Sequence, residues 1–246
     1  MEHKIISVYG NSYVTTTAIN LAARISERNK ELKVILVSID HTTPIMPIIF
    51  PNIDNAPSLG ALMSSPDDMS DELLYRHLQI NSDNVCVLGY AKGENVYSYA
   101  APADYKMDDL FIYLRNIADI TIVDCMSNIA AHKFSAKSII NADKIVNLVS
   151  ADIYGASFYE SQKLLLQGAQ YGFHTKFMRC LTVGNAFIND TEKFSRLIDD
   201  NVECIIPYSK KAVEVINTGA ALSHVDDKKY NAALDTIIEN ILKEEN

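Results

Sequence analysis

The chain has 246 residues, of which 31 are acidic and 22 basic, so its formal net charge is −9. Such a charge repels phosphodiester backbones and anionic lipid, which argues against nucleic acid and membrane surfaces as direct partners. Four cysteines without C-x-x-C spacing favour neither a zinc site nor a disulfide framework, and a cytoplasmic location is expected. The length fits a single domain over residues 1–246.

Short β-branched runs alternate with longer amphipathic segments, which predicts an α/β fold with a doubly wound, mostly parallel sheet and helices on both faces. The predicted strands are Lys4–Tyr9, Lys33–Ile39, Asn84–Gly89, Ile120–Asp124, Lys144–Val149, Lys176–Val183 and Glu203–Ile206. The predicted helices are Thr15–Arg28, Asp71–Gln79, Lys106–Ile117, Phe158–Tyr171, Asp190–Asp199 and Tyr230–Lys243. The proline-rich segment Pro44–Pro66 is predicted to be a surface excursion.

The turn after the first strand has the layout of a phosphate-binding loop that lacks its lysine. In a Walker A loop, G-x-x-x-x-G-K-[ST], backbone N–H groups cradle phosphates, the lysine neutralises their oxygens and the hydroxyl binds Mg²⁺. No lysine lies between Lys4 and Lys30. The candidate phosphate-contacting residues are Gly10, Asn11, Ser12, Tyr13, Val14, Thr15 and Thr16.

Four segments resemble the ParA/MinD family of deviant Walker ATPases, and within it the divergent branch associated with pili and conjugation. TTTAINLA at Thr15–Ala22 resembles the start of the family's helix after the loop. VILVSID at Val34–Asp40 resembles the family's second strand, and IADITIVDC at Ile117–Cys125 resembles its Walker B strand. Ile205–Leu222 resembles the family's late strand, proline turn and helix. The resemblance implies a P-loop NTPase-like fold and ATP or ADP with Mg²⁺ as the ligand.

The loop aligns with the family in two registers. In one, Val14 replaces the catalytic lysine, Thr15 takes the Mg²⁺-ligand position and the loop is about two residues short of the consensus. In the other, Thr15 and Thr16 occupy the glycine and lysine positions. Both registers lose the lysine and the second glycine. An alternative interpretation is that Thr15–Thr17 only cap the helix.

The resemblance also implies roles for two carboxylates and two later residues. Asp40 corresponds to the switch I carboxylate and Asp124 to the Walker B aspartate, which would hold Mg²⁺ together with Thr15. Asn185 corresponds to the residue that reads adenine, and Pro207 to the turn packed over the base. Ordinary turn chemistry is the alternative for Asp40 and Asn185. We expect Asp40 and Asp124 to converge beside a central first strand.

These observations predict a ParA/MinD-like pseudo-ATPase that positions or scaffolds other proteins, with weak or no nucleotide binding. Protein partners, including a nucleotide-independent homodimer, are expected. The chain ends in acidic residues rather than in the basic amphipathic helix of membrane-cycling members. Two alternatives stay open: a slow partitioning-type ATPase with a non-standard loop, and a regulator that binds a nucleotide or another small molecule.

Overall fold

The computed structural model describes residues 3–49, 57–82, 84–184, 191–220 and 222–243. Its strands are β1 (Lys4–Gly10), β2 (Val34–Ser38), β3 (Gln79–Ser82), β4 (Val85–Leu88), β5 (Ile120–Asp124), β6 (Lys144–Ser150), β7 (Phe177–Val183) and β8 (Cys204–Pro207). Its helices are α1 (Val14–Arg28), α2 (Met46–Ile49), α3 (Leu59–Ser64), α4 (Asp71–His77), α5 (Asp104–Ile117), α6 (Lys133–Asn141), α7 (Ile153–Leu166), α8 (Thr191–Ile198), α9 (Lys210–Asn217) and α10 (Lys228–Leu242). A 3₁₀ turn spans Ala169–Tyr171.

The strands form one sheet in the order β3-β4-β2-β5-β1-β6-β7-β8. Seven of them run parallel, and only the edge strand β3 is antiparallel to its neighbour β4. The predicted doubly wound α/β fold is confirmed. Strand β1 lies at the centre between β5 and β6.

Two apolar cores cover the two faces of the sheet. Because side chains alternate along a strand, Ile5 and Tyr9 of β1 enter one core, whereas Ile6 and Val8 enter the other. The first core is closed by helices α3 to α8, and the second by α1, α9 and α10. Burial on both faces explains the continuous apolar runs of the central strands.

The structure corrects several predicted elements. Helix α4 ends at His77, and Gln79, predicted to be helical, begins the edge strand β3. Helix α7 begins at Ile153, five residues before the predicted start, because the Asp152 side chain accepts a hydrogen bond from the Gly155 N–H at 2.7 Å and caps the helix.

The proline-rich segment is more than a surface excursion. Within its described part, Leu59 and Leu62 of α3 are buried in the first core. The Ser58 hydroxyl starts this helix by accepting a hydrogen bond from the Ala61 N–H at 3.1 Å. Among the described helices, none combines the length and the apolar character needed to cross a membrane.

Candidate functional site

The carboxyl ends of β1, β2 and β5 open into one crevice, where α/β sheets commonly bind ligands. Strand β1 ends at Gly10 and α1 begins at Val14, so only three residues connect them. A Walker A loop has six residues between its first glycine and its Ser/Thr, the first residues of its helix included, whereas four residues lie between Gly10 and Thr15. Of the two registers, the one that is aligned on the helix places Val14 at the lysine position. This register agrees with the observed start of α1 at Val14.

Gly10 and Asn11 fasten this loop to the neighbouring strand β6. A Cβ on Gly10 would lie 1.9 Å from the Leu148 carbonyl oxygen, so only glycine fits there. The Asn11 backbone N–H donates to the same carbonyl at 3.0 Å. The Asn11 side chain also donates to the Ser150 hydroxyl and accepts from the Ser150 N–H, both at 3.0 Å. The side chain of Asn11 thus serves the loop's own structure.

Tyr13 sits where a phosphate loop normally has a small residue. Its φ of 53° is left-handed, a conformation that favours glycine. It is the cap residue of α1, and its side chain makes no capping hydrogen bond. Its ring lies 6.1 Å from the ring of Tyr208, centroid to centroid. An aromatic pair therefore flanks the start of α1.

Thr15, Ser38 and Asp124 form the hydrogen-bonded centre of the crevice. The Thr15 hydroxyl donates to Asp124 Oδ1 at 3.1 Å, and the Ser38 hydroxyl donates to Asp124 Oδ2 at 3.0 Å. Thr15 lies inside α1 and its hydroxyl points across the crevice. The interpretation of Thr15 as a helix cap is therefore wrong.

Asp124 is a buried carboxyl group, and among the described side chains its electrostatic neighbours are Ser38, Thr15 and Asp40. Burial raises its pKa to about 7, the Ser38 and Thr15 hydroxyls oppose that rise, and the charge of Asp40 adds to it. None of these causes is a lysine or an arginine. With this pKa the carboxyl group takes up and releases a proton near neutral pH.

Asp40 follows β2 and organises the segment after it. Its Oδ1 accepts hydrogen bonds from the Thr42 N–H at 2.7 Å and the Thr43 N–H at 3.1 Å, which is an Asx turn. The neighbouring Ile39 N–H donates to the Asp124 carbonyl at 3.2 Å, so Asp40 and Asp124 do converge. In the structure the Asp40 side chain therefore stabilises a turn, as the alternative interpretation from the sequence predicted.

A pair of histidines, which the sequence analysis did not single out, joins the segments that follow β2 and β5. The Ser135 N–H donates to His132 Nδ1 at 3.2 Å, so the proton of a neutral His132 is on Nε2. That Nε2–H donates to His41 Nδ1 at 3.0 Å. Burial lowers the pKa of His132 to about 4, which keeps it neutral. The two histidines are 91 positions apart, so no local sequence pattern could predict their contact.

Pro207 ends β8 beside the aromatic pair, whereas Asn185 lies outside the described residues. The cavity lined by Pro207, Tyr13 and Tyr208 measures about 20 Å³. Ligand sites for drug-sized molecules span roughly 300–1,000 Å³. The side chains of Thr17 and Tyr230 also line this cavity. As it stands, the cavity does not accommodate a purine.

The oxygen atoms of Thr15, Ser38 and Asp124 are the hard ligands that Mg²⁺ prefers. The phosphate side of the same crevice supplies no charged side chain from Asn11 to Thr17. In the described ranges, no cluster of three or more His, Cys, Asp or Glu side chains is arranged to hold a metal ion. The residues therefore suit part of a magnesium shell and do not fit a magnesium–triphosphate as a whole.

The three-dimensional structure is similar to solved ParA and MinD proteins. The MinD septum site-determining protein from Pyrococcus horikoshii, complexed with Mg-ADP, superimposes with a TM-score of 0.75 at 16% identity, covering 98% of this chain and 96% of that one. The fold is that of the ParA/MinD ATPases.

Two further structures give the same result. A ParA family ATPase from Chlorobium tepidum has a TM-score of 0.73 at 14% identity and covers 94% of this chain and 97% of its own. A chain of the MinC:MinD cell division protein complex from Aquifex aeolicus has a TM-score of 0.73 at 14% identity and covers 99% of this chain and 98% of its own. No protein-family model and no curated protein matches the sequence.

Proposed function

We propose that the chain is a ParA/MinD-like pseudo-ATPase that positions or scaffolds other proteins without hydrolysing ATP. One observation carries the proposal: the connection from Gly10 to Val14 is short and brings no cation to the crevice. Phosphoryl transfer depends on neutralising the charge that builds on the phosphate oxygens. A loop without that charge positions neither the triphosphate nor its transition state.

The test is steady-state phosphate release from Mg-ATP, measured with the native protein and with Asp124→Ala. We expect both proteins to release phosphate at the rate of a protein-free blank. Turnover by the native protein that Asp124→Ala abolishes would contradict the proposal and favour the second candidate below. Folding of each variant is checked by circular dichroism.

The second candidate is a slow partitioning-type ATPase. It is favoured by the Thr15–Asp124 hydrogen bond of 3.1 Å, because these two oxygens could exchange their mutual contact for a shared Mg²⁺ ion. A lysine or arginine from a partner protein would then have to supply the missing charge. A nucleotide-binding regulator would use the same crevice without turnover.

Protein–protein contact is the activity we assign to the surface beside the loop. Ile153 and Tyr154 start α7 with exposed fractions of 69% and 77%. They follow Asp152, whose carboxylate accepts from the Ser150 hydroxyl that also holds Asn11. We expect this apolar pair to support a homodimer or a partner complex that needs no nucleotide.

Sedimentation velocity of the nucleotide-free protein tests the dimer. We expect Ile153→Asp with Tyr154→Asp to weaken self-association at least tenfold. The matched control is Tyr97→Asp, a change at a tyrosine that is 93% exposed elsewhere on the surface. A native protein that stays monomeric without nucleotide and dimerises with Mg-ATP would contradict this assignment.

A further inference from the structure

Two cysteines lie side by side in the sheet, far from each other in sequence. Strands β7 and β8 are parallel neighbours, and their register places Cys180 directly opposite Cys204. Neighbouring residues in register point to the same face of a sheet. Both side chains belong to the second apolar core. The Cys180 thiol donates to the Met178 carbonyl at 3.8 Å, and the Cys204 thiol donates to the Ala233 carbonyl at 3.7 Å.

The backbone spacing is compatible with a covalent link. Neighbouring strands lie about 4.7–4.9 Å apart, and the Cα atoms of disulfide-bonded cysteines are usually about 4.4–6.8 Å apart. Cys86, by comparison, lies opposite Ile35 of β2 and Ile80 of β3. In the strand ladders that the structure describes, a cysteine faces a cysteine only at Cys180 and Cys204.

We propose that Cys180 and Cys204 form a site of reversible oxidative modification, at which a hydroperoxide converts the two thiols into a disulfide that joins β7 to β8. Cys204 is the residue that meets the oxidant. It lines an open cleft of about 780 Å³ together with Ala232 and Thr236 of α10, and is 7% exposed, whereas Cys180 is 0% exposed.

Exposure assigns the order of events. Cys204 lines the open cleft and Cys180 is fully buried, so the oxidant reaches Cys204 first. The interaction between the two neighbouring thiols also lowers the pKa of Cys204 and raises that of Cys180, which favours Cys204 as the nucleophilic thiolate. Cys180 stays protonated and is placed to react second.

The reaction balances with a hydroperoxide as the only added reagent. The Cys204 thiolate attacks one peroxide oxygen and the O–O bond breaks. Hydroxide from hydrogen peroxide, or alkoxide from an organic hydroperoxide, leaves and takes up the proton lost by Cys204. The Cys180 sulfur then attacks the sulfenic sulfur of Cys204, and the S–O bond breaks. The leaving hydroxide takes the Cys180 proton as water. Two thiols lose two electrons in total, and the peroxide gains them.

Titration of thiols in the unfolded product tests this proposal after the folded, full-length protein has been treated with hydrogen peroxide. We expect the number of free thiols to fall from four to two and to return to four with dithiothreitol. Mass spectrometry of a non-reducing digest should find the peptides of Cys180 and Cys204 linked. Linkage through Cys86 or Cys125, or between chains only, would overturn the proposal.

Variants separate the two roles. Cys180→Ala should leave a sulfenic acid on Cys204 that dimedone captures, and Cys204→Ala should slow peroxide consumption at least tenfold. Cys86→Ser is the control, because this partly exposed thiol is outside the pair, and it should still form the linked peptide. The native protein's digest remains decisive if an alanine variant does not fold. A native protein that keeps four thiols under peroxide would refute the site.

Discussion

The two sides of the crevice differ in how closely they match the chemistry that an ATP site needs. On the carboxylate side, Thr15, Ser38 and Asp124 are brought within hydrogen-bonding distance by α1, β2 and β5. On the phosphate side, the chain turns from β1 into α1 through three residues with no cation. The parallel sheet fixes the first side, because strand ends meet there whatever the ligand. The second side depends on loop length and side-chain charge, which can change while the fold stays.

The largest effect is expected at the anchor of the phosphate side. Gly10→Ala would place a Cβ 1.9 Å from the Leu148 carbonyl oxygen, and the strand ladder cannot move aside without losing hydrogen bonds. We expect a loss of about 3–5 kcal/mol in the free energy of unfolding, measured with urea.

Gly93→Ala is the matched control for this change. Its φ is 85° and no atom lies within 4 Å of the new Cβ, so it adds backbone strain without a clash. The strain should cost about 1–2 kcal/mol. Equal losses for the two variants would show that the loop is not clamped to β6.

The next effect is a pH dependence of the free energy of unfolding that arises on the carboxylate side, at Asp124. The pKa of Asp124 is raised from 3.8 to about 7 by folding, so between these values the folded state holds a proton that the unfolded state has released. Stability therefore falls as pH rises through this window and levels off above it. The asparagine of Asp124→Asn does not titrate. The free energy of unfolding of this variant, relative to that of the native protein, should therefore rise by up to about 4 kcal/mol between pH 4 and pH 8.

Urea unfolding at both pH values measures this difference. Ser7→Ala is the control, because Ser7 is buried in β1, does not titrate and donates to or accepts from the Ser138 hydroxyl at 2.6 Å. Its loss of stability should be the same at both pH values. A gain for Asp124→Asn that does not change with pH would mean that Asp124 is ionised throughout.

A smaller effect tests the contact between the two sides. Thr15→Val and Ser38→Ala each remove one hydroxyl that lowers the pKa of Asp124. Each should cost about 1 kcal/mol of stability and move the titration of Asp124 to higher pH, observed by NMR of its carboxyl carbon. If Thr15→Val leaves the titration in place, the two sides of the crevice are not coupled.

The sequence predicted the sheet better than the site. Strand Ile120–Asp124 was predicted with its observed bounds, because burial on both faces leaves a continuous apolar run with a polar residue at its end. Strand β3 was missed because its pairing with β4 depends on a neighbour rather than on its own residues. The early start of α7 was missed too, although Asp152 is a typical helix cap.

Within the site, Asp124 and Thr15 could be proposed from the order of the segments along the chain. The hydrogen bond between them, the raised pKa and the His41–His132 pair could not, since each depends on burial and on contacts across many residues. Tyr13 was predicted to contact phosphate from its place in the loop, whereas its contact with Tyr208 depends on the position of β8. The local sequence thus identifies the residue types of the site, whereas their contacts and protonation depend on how the chain packs.

The smallest effect is expected from Tyr13→Gly. Glycine relieves the left-handed backbone at φ 53°, while the loss of the ring removes its packing against Tyr208. We expect the relieved strain and the lost packing to offset each other, so that the free energy of unfolding changes by no more than about 0.5–1 kcal/mol. Tyr13→Ala, which loses the ring and keeps the strain, should be less stable than Tyr13→Gly. The reverse order would show that the backbone at Tyr13 is not strained.

Calorimetric titration of Mg-ATP tests the central claim most directly, comparing the native protein with a variant whose Asn11–Val14 segment is rebuilt as a full Walker A loop with its two extra residues, second glycine and lysine. A charge-assisted contact is worth about 1.5–3 kcal/mol, or roughly 10- to 150-fold in affinity. The account predicts no measurable heat for the native protein and measurable binding for the rebuilt one. Submicromolar binding by the native protein, with no gain on rebuilding, would contradict it.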